Sequence, residues 1–65
     1  MTNRDRILKE YETALKKRKE LSERLRETET REPNNSYQIW ITRDQIAYWE
    51  GRSEGLKFAL DELER

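Results

Sequence analysis

The chain is 65 residues long and has neither cysteine nor histidine, which excludes disulfides and leaves zinc or copper sites without their usual ligands. Its 14 Lys/Arg and 14 Asp/Glu cancel, which argues against a protein that lives on nucleic acid, where a basic surplus is expected. A charged fraction of 43% against 32% apolar residues leaves too little core for one small domain to stand easily alone, so self-association is the expected supplement.

The first predicted element opens at "TNRD", where Thr2 stands three residues before Asp5 as in a capping box. Ile7, Leu8, Tyr11, Ala14, Leu15, Leu21 and Leu25 then fall within one helical stripe roughly 120° wide. A first helix is therefore expected over about 3–30, with one apolar face. The rest of its surface is Lys, Arg and Glu at spacings that permit pairs such as Glu20 with Arg24. "KKRK", residues 16–19, points in all directions on such a helix and reads as solvated surface. Arg18 is different, because it lies at the centre of the apolar stripe. In a hairpin with its midpoint near 33–34 it comes level with Trp49. The expected role is a snorkelling stem with its guanidinium over the indole, and the alternative is an arginine presented to an anionic ligand.

"TREPNNS" breaks the chain. Pro33 biases Glu32 away from helical geometry, and Asn34, Asn35 and Ser36 are turn and cap residues. Asn34-Asn35-Ser36 also fits a glycosylation sequon, but no secretion signal follows Met1 and the turn reading is preferred.

The second helix has two candidate starts. Asn35 or Ser36 is one cap, with Gln38 as reciprocal partner to Asn35. Thr42 with Gln45 is the other, leaving the β-branched and aromatic "YQIWI" extended. Phase decides for the early start. Ile39, Ile46, Ser53 and Leu60, with Thr42, Trp49, Leu56 and Leu63, form one unbroken heptad series. The expectation is a turn at about 31–36 and a helix over about 37–64. The whole chain (1–65) then forms one all-α domain, an antiparallel two-helix hairpin assembled into a homo-oligomeric bundle.

That second helix carries a further apolar face almost opposite the first. Trp40, Ile41, Ala47, Tyr48, Gly51, Gly55, Phe58 and Ala59 lie there. Helix one can cover only one face, so the other is expected to meet another chain. Gly51, Gly55 and Ala59, at i, i+4, i+8, form a shallow groove for a close helix crossing. The competing readings are a helix kinked by tolerated glycines and close approach of a ligand or a foreign protein. The expected oligomer interface is Trp40, Ile41, Tyr48, Gly51, Gly55, Phe58 and Ala59.

No nucleophile–base pair, phosphate-cradling glycine loop or Glu-x-x-His pair is present, so no enzyme activity, cofactor or metal is expected. The aromatics read mainly as packing. Tyr37 and Trp40 near the turn, beside Arg43, also suit base stacking for a nucleotide held between subunits. The candidate ligand-binding residues are Arg18, Tyr37, Trp40, Arg43 and Arg52. No apolar run approaches membrane-spanning length, and a cytoplasmic protein with no membrane partner is expected.

The segment Tyr48-x-x-Gly51-Arg52-x-x-Gly55-Leu56-x-Phe58-Ala59-Leu60-x-x-Leu63 resembles the ending of short helical accessory proteins of tailed bacteriophages. It covers about a quarter of the chain, and Gly55 stands where the pattern has alanine. The resemblance implies an accessory protein acting in the host cytoplasm. Its implied role is inhibition of a host defence factor, or sequestration of a cyclic nucleotide immune signal. A structural or assembly coiled coil is the remaining expectation.

Overall fold

The computed structural model describes residues 2–65, and these form two helices packed against each other as a hairpin. Helix α1 spans Asn3–Arg31 and helix α2 spans Ser36–Leu63. The cap residues explain where each begins. Thr2 is extended and its Oγ1 accepts from the Asp5 amide at 3.2 Å. At the second start, Asn35 Oδ1 accepts from the Gln38 amide at 3.2 Å. Each cap satisfies one of the orphan donors of a first helical turn. Between the helices, the Glu32 amide donates back to the Thr28 carbonyl and the Asn35 amide to the Glu32 carbonyl, which closes the turn around Pro33.

The early start is the one observed, and the alternative at Thr42 is not. Thr42 is fully buried mid-helix, and its hydroxyl donates to the Gln38 carbonyl at 2.8 Å. "YQIWI" is helical because its Ile39 belongs to the buried seam, and burial outweighs a modest local strand preference. Helix α2 also runs unbroken through Gly51 and Gly55, neither of which has a positive φ.

The molecule is a rod of 47 × 16 × 13 Å. Its seam is thin. Ala14, Thr42, Ser53 and Leu60 are buried, while Ile7, Leu8, Tyr11, Leu15, Leu21, Leu25, Ile39, Ile46, Trp49 and Leu56 are half-buried. Two of the four buried residues are polar, and both satisfy their hydroxyls within their own helix: Thr42 on Gln38 and Ser53 on the Glu50 carbonyl. Ala14 and Ser53 stand equally far in sequence from the turn at Pro33 and Asn34, and both are small buried residues of the seam. Ion pairs Arg4–Glu64 (3.1 Å) and Arg43–Glu29 (3.3 Å) cross the hairpin near its two ends. Both are exposed and contribute little, typically about 0.2–1 kcal/mol each.

Two expectations for this packing fail. Leu63, placed in the buried heptad series, is 50% exposed, because it lies in the last turn of α2, level with the exposed first turn of α1. Glu20 and Arg24, whose spacing permits a pair, form none; among the described residues the one ion pair between residues close in sequence is Arg65 with Glu62, at the C-terminal end of α2. No helix among the described residues is long and apolar enough to cross a membrane.

Candidate functional site

Two surfaces stand out once the hairpin seam is accounted for, and both belong to α2. The first is its outer face. A helix packed on one neighbour buries one stripe, and the residues opposite that stripe stay in solvent. Tyr37, Trp40, Tyr48 and Phe58 are accordingly between 60 and 71% exposed. Gly51, Gly55 and Ala47 are exposed among them, while Ile41 and Ala59 are half-buried at the margin of the face. A Cβ added at Gly51 or Gly55 would meet nothing within 4 Å. Within one chain, then, neither glycine is required by packing or by backbone conformation. Each nonetheless costs the helix about 1 kcal/mol relative to alanine.

The second surface is a groove along one flank of the hairpin, and Trp49 stands in its middle. On one side of the indole, Arg6, Lys9, Glu10 and Thr13 of α1 face Arg52 of α2 around a cavity of about 280 Å³. On the other side, Lys17, Glu20, Leu21 and Arg24 face Gln45 around about 260 Å³. The α1 residues recur at three- and four-residue steps, which is why one helix flank supplies them all. The groove thus holds five cations and two carboxylates on a chain of zero net charge. Among the described residues none of those five cations makes an ion pair.

The residues singled out for ligand binding are not brought together. Tyr37, Trp40 and Arg43 stay in the first turns of α2, and Arg43 is engaged with Glu29. Arg52 lies nine residues on, about 14 Å along the axis at 1.5 Å per residue. Arg18 corrects the expectation most directly. It is exposed, and the cations that border the Trp49 indole are Arg6, Lys9, Lys17, Arg24 and Arg52. Trp49 instead meets Tyr48 edge-to-face, with centroids 5.1 Å apart and planes at 88°. Arg18 is exposed as a residue, which keeps its charge hydrated. From the sequence, Arg6 and Lys9 are not singled out, and Lys17 and Arg24 read as solvated surface charge; the common helical flank of all four was the available signal.

Among the described residues no group of three His, Cys, Asp or Glu is placed to hold a metal ion. No protein-family profile, curated protein or solved structure matches this chain.

Proposed function

We propose that this chain is a non-enzymatic binding protein that works as a small helical homo-oligomer, assembled through the outer face of α2. The observation that carries the reading is the pairing of open glycines with exposed aromatics on that face. Gly51 and Gly55 leave a shallow channel with nothing over it, and Tyr48 and Phe58 project beside it. Small residues one turn apart let a second helix backbone come close, and flanking rings then bury large apolar area.

The single chain exposes 5438 Å², whereas a folded monomer of this mass is expected to expose about 4,500 Å². A thin rod exposes more than a globule of its mass, and Tyr37, Trp40, Tyr48 and Phe58 are large side chains that it leaves in solvent. A second copy is the occupant, because the face is self-complementary: a channel between rings accepts the rings of its own kind. Following the resemblance of its ending, the target bound by this oligomer is a factor of bacterial host defence, in the manner of a phage-type inhibitor.

The deciding experiment is native mass spectrometry of the protein purified from a bacterial host, together with thermal melts over a hundredfold range of concentration. Discrete oligomers, a melting temperature that rises with concentration and one retained host protein support the reading. A concentration-independent folded monomer refutes the assembly, and an oligomer carrying no host protein refutes the inhibitor role.

A further inference from the structure

We infer that the Trp49 groove is a binding site for a small anion carrying a flat aromatic ring, of the nucleotide type, held within one chain. The inference does not depend on the outer face of α2 or on assembly. Three features of the groove set the ligand's chemistry. Its charge is the first: Arg6, Lys9, Arg52, Lys17 and Arg24 exceed Glu10 and Glu20, and no internal ion pair consumes those cations. An anion is the complement. Guanidinium forks favour phosphate or carboxylate oxygens, which they meet bidentately.

The second feature is the indole. Trp49 is half-buried and borders both cavities, with Tyr48 against it edge-to-face. A braced aromatic face between cations is a stacking platform, and stacking a base on such a face contributes about 1–3 kcal/mol. The third feature is size. Each cavity, at about 280 and 260 Å³, falls just under the usual range for a drug-sized ligand of about 300–1,000 Å³. A ring fills one lobe against the indole, and its phosphates extend along the cations.

This placement differs from a site at the turn. Arg43 is paired with Glu29 there, and Tyr37 and Trp40 are 71 and 65% exposed. Arg52 is the one residue singled out from the sequence that the groove uses.

The test is fluorescence of the full chain carrying Trp40→Phe, which leaves Trp49 as the sole indole. ATP, adenosine and inorganic tripolyphosphate are titrated separately at low salt. Saturable quenching by ATP, tighter than by either part alone, is expected. Arg52→Ala is expected to raise the ATP dissociation constant roughly tenfold, the usual loss for a charged hydrogen bond. Lys19→Ala removes the same charge from a residue outside the groove and is expected to change it less than twofold. Circular dichroism checks that both variants keep their helices. The inference is overturned if ATP gives no saturation, if tripolyphosphate binds as tightly as ATP, or if Arg43→Ala weakens binding in place of Arg52→Ala.

Discussion

Tyr48 and Trp49 stand edge-to-face, 5.1 Å between ring centroids and 88° between planes, and so join the two surfaces of α2. Tyr48 belongs to the exposed outer face, whereas Trp49 turns into the groove against α1. Successive helical residues point about 100° apart, so a ring pair at i, i+1 spans the edge between two faces. Whatever covers Tyr48 therefore touches the residue that braces Trp49.

This pair yields a spectroscopic prediction. Edge-to-face rings are worth about 0.5–1.5 kcal/mol and hold each other in one orientation. In the Trp40→Phe background, Tyr48→Ala is expected to lower the near-ultraviolet dichroism of Trp49 by half or more. Far-ultraviolet dichroism is expected to stay unchanged, because alanine favours the helix. An unchanged aromatic signal would mean that Trp49 is fixed by α1 alone.

The waist of the hairpin gives a second prediction. Ala14 has no exposed surface, and Ser53 on the other helix is 4% exposed. Adding methylenes there forces the helices apart, so Ala14→Leu is expected to cost about 1–3 kcal/mol in urea unfolding. Ser53→Ala is expected to stay within about 0.5 kcal/mol of the parent. Its hydroxyl bonds only to the Glu50 carbonyl of its own helix, and alanine is the better helix former. Comparable losses from both substitutions would mean that the Ser53 hydroxyl matters beyond its own helix.

Much of this architecture was legible in the residues. The caps at Thr2 and Asn35, the break at Pro33 and the seven-residue phase mark both helices, because capping and periodicity are local properties of a chain. Helix α2's start was ambiguous locally, since Tyr37 to Thr42 mixes strand-favouring residues with a helical phase; burial of Thr42 settles it. The groove was not legible. A helical wheel gives the direction of a Cβ, but Arg18 and Trp49 carry long side chains that choose an edge by rotamer. Arg18 is exposed and lines neither cavity, whereas Trp49 lines one cavity with Arg52 and the other with Lys17. Leu63 was misread for a different cause, since phase says nothing about whether a partner reaches the helix end.

The cap at Asn35 supports a third prediction. Its side chain accepts from the Gln38 amide at 3.2 Å, and it is also placed to donate to Glu32 Oε2 at 3.3 Å. Asn35→Ala is expected to cost about 0.5–2 kcal/mol, as lost helix caps do. Thr42→Val retains the shape of a buried side chain and removes a hydroxyl bonded back to its own helix. It is expected to leave stability unchanged or raise it by up to about 1 kcal/mol. Chemical denaturation at one concentration measures both. A loss at Thr42 matching that at Asn35 would mean that the Thr42 hydroxyl contributes through its bonds with Gln38.

The glycines give the sharpest prediction, because the isolated chain and the assembly call for opposite results. In a lone hairpin both positions are helical and open, so any good helix former should add stability. Gly55→Ala and Gly55→Leu would then each raise it by up to about 1 kcal/mol, with the concentration dependence of melting untouched. In a bundle crossing at this face, leucine occupies the space of the second backbone. Gly55→Leu is therefore expected to abolish the concentration-dependent part of the melt and to release monomer in sedimentation equilibrium. Gly55→Ala is expected to weaken association by less. Phe58→Ser keeps the glycines and removes a ring that is 67% exposed in one chain, so a loss of association there locates the interface independently of backbone effects. Stabilisation by leucine with unchanged assembly would move the interface away from Gly55, and the outer aromatics would then need another partner.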